Sequence, residues 1–454
     1  MARHDERGAQ CGGHGLGLTH RPAADSRRQN GHVTVDGHVT VERAAPILRD
    51  PAFARLWFIQ AATQVGGNMA LYALTILVFA TTRSNAAVSA LVMSFLIPTI
   101  LLSALAGVLV DRLDVRLALI VPNTVRTLLT LGLAVAGDNI AMLLVLNLGV
   151  SLTTVVLTPA EASMIPRIVP KGQLETAMGV FNLTLQASFA VGFAFLGPLL
   201  VTIAGPSFVL GVVVAFYAAA TFATLGLPSA PPVTRDPTVA RRTFHEPVEE
   251  LREGLAAISG NREVSRPLMH LAAASSLVGV IGVLGPSLAA SLGLDPTHLI
   301  VVVLPLGLGV VAGVFGLRRF GAGVARRRAA EIGLITFGLL AVGMAAVGRA
   351  GVAAGLPVIP IVVVLAFVAG SAYAATSVSA QTALFENMPA SARGRIFGVL
   401  ASIVSAASLV PILVAGPLAD RISGPVVIAI SAVGVLAVAA WSATLFGPRP
   451  EPPP

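Results

Sequence analysis

The stretch Gly107-Val108-Leu109-Val110-Asp111-Arg112-Leu113-Asp114-Val115-Arg116 lies between two long apolar runs of the chain. It holds two acids and two arginines within six residues, although charged residues make up 11% of the sequence. The pattern predicts a short loop at a membrane surface, where the small Gly107 lets another backbone come close. Two interpretations stay open: Asp111 and Arg112 cap or pair with neighbouring helix ends, or the stretch is a solvated turn carrying topogenic charge.

The composition indicates a membrane protein. Hydrophobic residues make up 55% of the 454 residues, and the mean hydropathy is +0.84. A soluble protein of this size carries about 25% charged residues. The apolar residues come in blocks of about 18 or more, which is the length that a helix needs to cross a bilayer. Strands of a membrane β-barrel are shorter, and apolar and polar residues alternate along them. The sequence therefore predicts an all-α polytopic membrane protein.

The sequence pI near 11.0 does not indicate a nucleic-acid partner. The arginines lie in short segments between apolar blocks, as topology signals do. Lys171 is the only lysine, a composition typical of a GC-rich bacterial genome, so we expect the bacterial inner membrane. Cys11 is the only cysteine, which excludes an intramolecular disulfide and a cysteine-based metal cluster. We expect no metal ion and no cofactor.

Twelve apolar blocks predict twelve transmembrane helices, six on each side of a long polar segment. Arginines collect in the segments that share a side with both termini, which predicts cytoplasmic termini. The predicted domains are a disordered cytoplasmic tail (1–50), an N-terminal six-helix bundle (51–227), a cytoplasmic linker (228–266), a C-terminal six-helix bundle (267–446) and a cytoplasmic tail (447–454). The predicted spans are about 56–80, 88–110, 117–136, 140–159, 177–203, 208–225, 267–292, 298–317, 330–348, 357–380, 396–418 and 424–446.

The two bundles carry matching motifs. Gly197-Pro198 ends the fifth block and Gly416-Pro417 ends the eleventh, and each is followed by a second Gly-Pro pair at the next turn. Ala106-Gly107-Val108 ends the second block and Ala312-Gly313-Val314 ends the eighth. These offsets are those of a duplicated six-helix unit. The sequence thus predicts two pseudo-symmetric six-helix bundles, with a substrate cavity between them near the membrane midplane.

The positions Gly107, Asp111, Arg112 and Arg116 match the signature Gly-x-x-x-Asp-Arg-x-x-Arg of the loop between helices 2 and 3 in the major facilitator superfamily. Residues 50–446 resemble a twelve-helix member of that superfamily. The resemblance implies that these four residues gate the transporter by helping to lock its outward-facing state. The phrases Phe53-Ala54-Arg55-Leu56-Trp57, Pro159-Ala160 and Arg393-Gly394-Arg395-Ile396-Phe397-Gly398 resemble the branch of macrolide and enterobactin exporters.

Polar residues within the spans are candidates for the substrate cavity, because such residues are costly in a bilayer. Gln60, Gln64 and Asn68 are spaced four apart and form one helix face, which either lines the cavity or packs against another helix. Asn68 replaces an acid that many relatives carry, and a neutral amide cannot carry a proton. The remaining candidates, on helices 3, 4, 5 and 10, are Arg126, Glu161, Gln186 and Gln381.

Several of these positions leave alternatives open. Arg126 and Glu161 form either a gating or binding pair or a structural buried pair, and Arg126 could instead reach the inner headgroups. Gly197-Pro198 resembles the last part of the antiporter signature of the superfamily without its upstream glycine spacing, and a helix-packing role is equally open. The same packing role is expected for Gly416-Pro417. Asp420-Arg421 is expected to form an external salt bridge of little value.

The predicted function is secondary active export of a small amphipathic drug or secondary metabolite by alternating access, with protons as a candidate coupling ion. A lysophospholipid flippase on the same scaffold is the alternative. An enzyme is disfavoured, because the spans hold no cluster of nucleophile, base or metal ligands; a non-transporting sensor is equally disfavoured. The expected partners are a small-molecule substrate and the lipid bilayer, and we expect a monomer.

Overall fold

A computed structural model describes residues 47–229, 262–320, 325–347, 355–386 and 393–445. The predicted C-terminal tail lies outside the described residues, as does most of the predicted N-terminal tail and of the linker.

The described chain is built of long helices, which we number α1 to α12. Among the described residues, eleven apolar helical stretches are long enough to cross a membrane. One of them, Lys171–Leu225, has 55 residues and a break at Gly205, so it accounts for two crossings. The predicted twelve spans are thereby confirmed, and the protein is a multi-pass membrane protein. The helices are α1 Pro51–Thr82, α2 Asn85–Asp111, α3 Val115–Val135, α4 Ile140–Ile168, α5 from Leu174 to a break at Gly205, α6 from that break to Leu225, α7 Arg262–Ser291, α8 Ile300–Phe320, α9 Arg326–Ala346, α10 Val358–Glu386, α11 Arg393–Arg421 and α12 Gly424–Leu445.

Side-chain caps fix where several helices begin. The Asp50 carboxylate accepts hydrogen bonds from the N–H groups of Ala52 and Phe53 at 2.8 and 3.0 Å. Pro51 occupies the first turn, where its missing N–H costs nothing. Helix α1 therefore begins at Pro51, before the apolar block that predicted a start near residue 56. The hydroxyl of Ser84 caps α2 in the same way, at 3.2 Å from the N–H of Ala87.

The tight turn predicted at Gly205-Pro206 is confirmed. Gly205 has φ 83° and ψ 169°, a backbone conformation that a side chain disfavours. Pro206 then opens α6 with its fixed φ. Because the turn takes a single residue, one continuous helical stretch covers both crossings.

The two six-helix halves meet through α2 with α11 and through α5 with α8. We call the end of the bundle that carries the turns 83–84 and 422–423 the latch end. The opposite end, with the turn 112–114, is the signature end. At the latch end Ser89 Oγ donates to the Ile412 carbonyl at 2.8 Å. Thr202 Oγ1 donates to the Thr297 carbonyl at 3.2 Å. These bonds tie the first half to the second at the latch end.

Small residues allow the closest helix contacts within the second half. A Cβ at Gly313 would lie 2.7 Å from the Ser371 carbonyl oxygen, so α8 and α10 approach with their backbones nearly touching. The hydroxyl of Ser371 donates to the Gly309 carbonyl at 2.9 Å across the same contact. Close approach with one added hydrogen bond is how helices pack where hydrophobic burial gives no advantage.

Candidate functional site

The charged stretch bridges three helices at the signature end. Asp114 caps α3, accepting from the N–H groups of Arg116 and Leu117 at 2.8 and 3.4 Å. The guanidinium of Arg116 donates to the Leu225 carbonyl. Arg55 Nη1 donates to the next carbonyl, that of Gly226, at 3.0 Å. Two cations thus hold the C-terminal end of α6, where the helix dipole favours positive charge.

Other members of the predicted gating set have different surroundings. The side chain of Arg112 is exposed, and the side chain of Asp111 lies outside the described residues. Among the described residues, no atom of another helix lies within 4 Å of the position that a Cβ would take at Gly107. The close backbone approach predicted at Gly107 therefore does not occur among the described residues in this conformation. The helix-end contacts of the stretch are made by Asp114 and Arg116, whereas the capping or pairing predicted for Asp111 and Arg112 stays a prediction.

The polar stripe of α1 runs along the seam with α5. Gln60 is buried and donates from Nε2 to the Phe181 carbonyl at 3.3 Å. Asn68 Nδ2 donates to the Gln64 carbonyl of its own helix at 2.9 Å. A Cβ at Gly192 of α5 would lie 2.8 Å from the Cβ of Asn68. The two ends of the stripe are thus packed against α5, as expected for residues that hold helices together.

Gln64 and Gln186 lie at the same level of this seam. Gln60 is opposite Phe181 and Asn68 is opposite Gly192, and α1 and α5 run in the same direction, so Gln64 falls level with Gln186. Gln64 is half-buried and Gln186 is exposed. An exposed amide in a spanning helix is costly in hydrocarbon. We therefore infer that Gln186 is oriented toward the space between the halves.

Arg126 lies buried inside the first half, with 4% of its side chain exposed. Its Nη2 donates to Asn123 Oδ1 at 3.0 Å, and its guanidinium carbon is 4.2 Å from the ring centroid of Tyr217 on α6. A cation over an aromatic face is attracted by the ring quadrupole. Tyr217 fits there because Gly66 and Gly67 of α1 are small: a Cβ at either would lie 3.1 or 3.3 Å from its side chain.

Glu161 is also buried, with 5% exposed, and the charge of Arg126 acts on it. The two side chains, both of which the structure describes, form no N–O contact within 4.0 Å. The structure therefore brings Arg126 and Glu161 into one buried region without direct contact. Asn123 and Tyr217 are the direct partners of Arg126, and the sequence argument did not identify them.

Helix α5 contains a π-helical segment, Phe189–Leu196, directly before Gly197-Pro198. The cause is Pro198, whose ring displaces the carbonyl four residues earlier and whose nitrogen carries no hydrogen. The N–H of Gly197 then bonds to the Gly192 carbonyl, five residues back. Because of the wider turn, Gly192 and Gly197 both face α1. A Cβ at Gly192 would lie 2.5 Å from the Val65 carbonyl oxygen, and one at Gly197 would lie 3.2 Å from Tyr72 Cβ.

Three aromatic rings line this segment. The Phe189 and Phe193 rings are stacked, with centroids 5.1 Å apart and planes at 9°. Phe193 meets the Tyr72 ring edge to face at 5.5 Å and 85°. Tyr72 is fully buried, and its hydroxyl oxygen has no hydrogen-bond partner among the described residues. Phe189 is 43% exposed.

The latch end holds a polar cluster that joins the two halves. The Asp420 carboxylate at the end of α11 accepts four hydrogen bonds from the start of α2. The external salt bridge predicted for Asp420-Arg421 is wrong, because the carboxylate is committed to α2. Gly416, one turn earlier, packs against Asn85 and Ser89 of α2, whereas the neighbouring Pro417 is exposed.

At the latch end, the hydrogen bond from Thr202 to the Thr297 carbonyl depends on Asp295, an acid outside the spans. Asp295 caps the short 3-10 helix Pro296–Leu299, accepting from the N–H and hydroxyl of Thr297 at 2.9 and 2.6 Å. These hydrogen bonds, that of the hydroxyl foremost, hold the pKa of Asp295 below its usual value. Asp295 thus orders the turn whose Thr297 carbonyl receives the cross-half bond from Thr202.

The second half carries buried polar groups that the sequence argument missed. Arg266 of α7 forms an ion pair with Glu331 of α9, and buried His270 hydrogen-bonds Ser442 at 2.8 Å. Arg266 was assigned to the linker because the apolar block starts after it, whereas α7 begins at Arg262. The predicted Gln381 is half-buried on α10 and donates to Ser377 Oγ at 2.9 Å. Within the described ranges no three His, Cys, Asp or Glu residues are grouped as metal ligands.

A family model also matches the chain, in agreement with its signature stretch and its two helical halves. A family model described as the Major Facilitator Superfamily matches residues 56–410. The chain belongs to the Major Facilitator Superfamily. As a member of that superfamily it is a membrane transporter that acts on small molecules, and such proteins are generally not enzymes. Among curated proteins, no sequence match was found.

Solved transporter structures share the fold at low sequence identity. The nucleoside transporter NupG is 15% identical, with a TM-score of 0.66 over 88% of this chain and 100% of that one. A POT family transporter in complex with 5-aminolevulinic acid is 12% identical, with a TM-score of 0.64 over 87% and 95%. A bacterial homologue of the human lysosomal transporter Spinster, inward-facing and unoccupied, is 14% identical, with a TM-score of 0.63 over 90% and 97%. These likenesses establish the fold alone.

Proposed function

We propose that the protein is a secondary active exporter of small amphipathic molecules in the bacterial inner membrane, resembling the macrolide and enterobactin exporter branch. The observation that carries the proposal is the distribution of polarity near the middle of the first half. The charged Arg126 and Glu161 are buried inside that half. The less buried polar groups, Gln64 and Gln186, are neutral amides beside exposed Phe189. A mostly apolar surface with a few neutral hydrogen-bonding groups suits an amphipathic ligand.

The conformation fits one state of an alternating-access cycle. The hydrogen bond that Asp420 accepts from Asn85 and the one that Ser89 donates to the Ile412 carbonyl close the latch end. At the signature end Gly107 is half-buried, and among the described residues no other helix packs within 4 Å of its Cβ position. With both termini in the cytoplasm, as the arginine distribution predicts, the signature end is cytoplasmic and this state faces inward. Transport then requires the latch end to part and the signature end to close, in a protein working as a monomer.

Proton antiport is the energy source that we propose. Helix α1 offers no acid, and Asn68 stands where relatives carry one. Glu161 is a buried carboxyl within a span, under the influence of the Arg126 charge. A carboxyl in that setting can take up and release a proton as its surroundings change between two conformations. Glu386 is a weaker candidate, because it already pairs with Arg326 at 2.8 Å.

One observation favours a lysophospholipid flippase as the second candidate. An apolar groove of about 500 Å³ lies between α2, α4 and α11, across the contact of the two halves. Ile97, Leu148 and Leu413 line it and are 41%, 39% and 51% exposed. In the bilayer such a groove is filled by an acyl chain, and a lysolipid could enter the protein there from the side.

The test is the accumulation of dyes, macrolides and lysophospholipids in an efflux-deficient bacterium, with and without a protonophore. An exporter lowers the accumulation of at least one dye or macrolide relative to vector-only cells, and the protonophore abolishes the difference. Unchanged drug accumulation with faster lysolipid movement supports the flippase instead. Higher accumulation of a panel member than in vector-only cells contradicts export and indicates an importer.

A further inference from the structure

We propose that Phe189 is a stacking platform for a planar aromatic group of the substrate, with the Gln186 amide binding the polar edge of that group. The inference rests on the proposed transport function and narrows its substrate class to planar aromatic amphiphiles. The superfamily signature lies at the signature end of the bundle, so it does not predict the positions of the Phe189 ring and the Gln186 amide.

The stacked pair leaves part of Phe189 accessible, and we infer that this part includes the ring face opposite Phe193. Phe193 covers one face of Phe189 in parallel, at a centroid distance of 5.1 Å. Phe189 is nevertheless 43% exposed. A parallel stack ends in an aromatic face that a further ring can extend, because aromatic pairs favour offset stacking at 4.5 to 7 Å. A planar ligand would thus become the next ring in an existing stack.

The π-helical geometry places Phe189 on the side of α5 that faces the second half. A Cβ at Gly307 of α8 would lie 2.5 Å from the Cβ of Ala194, so Ala194 touches the second half. Phe189 precedes Ala194 by five residues, the spacing of the π-helical hydrogen bond, so the two residues lie on roughly the same side of α5 about one turn apart. Phe189 therefore lies beneath that contact, one turn toward the signature end. There the exposed ring faces the space between the halves.

Gln186 completes the site with a hydrogen-bonding group. It precedes Phe189 by three residues and shares its helix face. Its amide offers both a donor and an acceptor. The two residues lie about midway between Leu174 and Gly205, the two ends of α5. Substrate sites of duplicated transporters lie at this depth, between the halves.

The platform is held rigidly before any ligand arrives. Phe193 packs edge to face on Tyr72 of α1 at 5.5 Å. Gly192, the residue before Phe193, packs directly against the Val65 carbonyl of α1. A ring that is already immobilised loses little further freedom when a ligand stacks on it.

Phe195 provides a matched control. It belongs to the same π-helical segment and is 47% exposed, but it takes no part in the stack. Removing either phenyl ring changes the hydrophobicity of α5 equally. Only the loss of Phe189 removes the platform.

The experiment measures the affinity of purified full-length protein in lipid nanodiscs for three planar aromatic probes: ethidium, acriflavine and rhodamine 6G. A non-aromatic amphiphile, dodecyltrimethylammonium, is measured by the same titration. We expect F189L to weaken binding of at least one planar probe roughly three- to tenfold, the value of one aromatic stack. F195L and F189W should bind within about twofold of the wild type. Dodecyltrimethylammonium should bind the wild type and F189L alike.

Three outcomes overturn the platform: equal affinities of F189L and F195L for every planar probe, equal weakening of the aromatic and non-aromatic ligands by F189L, or no saturable binding of any planar probe to the wild type. If F189L does not fold, the affinities of Q186A and F189W for the planar probes test the site instead. Loss of planar-probe affinity in Q186A supports the site, and unchanged affinity in Q186A contradicts it. Transport of other compounds by the wild type would show that the platform alone has failed and the proposed function stands.

Discussion

Asp420 at the end of α11 and Asn85 at the start of α2 form the contact that closes the latch end. The Asp420 carboxylate accepts from the backbone N–H and the side-chain amide of Asn85 at 2.7 and 2.9 Å. It also accepts from the Ser84 hydroxyl and the Ala86 N–H at 2.6 and 3.0 Å. A carboxylate of the second half thus caps a helix of the first, where the helix dipole favours negative charge.

Replacement of Asp420 by asparagine should open the latch end. The substitution turns an acceptor oxygen into an NH₂ group that faces the N–H of Ala86 and removes the charge at the α2 terminus. We expect a loss of about 1 kcal/mol, since the site is partly exposed, which shifts the closed-to-open ratio roughly fivefold. Distances between spin labels at Val135 and Ile422, in a Cys11→Ser background, report the ratio.

Asp138→Asn is the control for this measurement. Asp138 lies at the same end, and among the described residues its carboxylate accepts a hydrogen bond from Thr81 of its own half, at 3.4 Å, and none from the other half. It should leave the distance distribution unchanged. Equal distributions for the wild type and the Asp420 variant would contradict the latch.

Arg126 and Glu161 should behave as a coupled pair although they do not touch. Arg126→Ala leaves the Glu161 carboxylate buried without its cation and should destabilise the protein by about 3 kcal/mol or more. The double variant with Glu161→Gln should be more stable than the sum of the single effects implies, by at least about 0.5 kcal/mol. Thermal unfolding midpoints in one detergent measure all four proteins. Strict additivity would show that the two charges do not interact.

Gly192 should tolerate no larger residue. A Cβ there meets the Val65 carbonyl oxygen at 2.5 Å and Asn68 Cβ at 2.8 Å, so Gly192→Ala forces α1 and α5 apart. The expected destabilisation is about 1 to 3 kcal/mol, as for overpacking of a close contact. Gly211→Ala on α6 is the matched control, since nothing lies within 4 Å of a Cβ there. Unfolding temperatures of the two variants should differ; if they are equal, the seam is not tightly packed.

The signature stretch allows a comparison of its two acids. Asp114 is an N-cap, and asparagine caps as well as aspartate does, so Asp114→Asn should change transport little. Asp111 matches the gating acid of the superfamily signature, so Asp111→Asn should lower the initial transport rate by about tenfold or more while membrane insertion stays normal. Both rates are compared at equal protein levels in membranes. A normal rate for the Asp111 variant would remove it from the gate.

The sequence predicted the spans well because the bilayer imposes them. Apolar blocks near 20 residues long must be helices in hydrocarbon, and Gly205 followed by Pro206 can only be a turn between two of them. Local caps such as Asp50 and Asp114 depend on neighbours in the chain, yet the sequence argument did not predict them: it started α1 near residue 56 and assigned capping to Asp111 and Arg112. Sequence patterns also missed the contacts made between distant segments.

Asp420 shows why these contacts were missed. Its neighbour Arg421 suggested a local salt bridge, whereas its partners lie in the other half of the chain. Arg126 likewise contacts the ring of Tyr217 on α6 and makes no direct bond to Glu161, the acid that is nearer to it in the sequence. The π-helical segment follows from Pro198, yet its consequence, the alignment of Gly192 with Gly197 toward α1, required the packing of α5 on α1.

The measurement that tests the central claim most directly uses purified protein in liposomes with an acidic lumen. Uptake is followed for ethidium, a permanent cation that a pH gradient does not trap by itself, and for the macrolides and lysophospholipids of the cellular panel. The account predicts saturable uptake of at least one of these compounds that stops when nigericin collapses the gradient. Uptake equal to that of protein-free liposomes for every compound, from protein that is correctly folded, would contradict it.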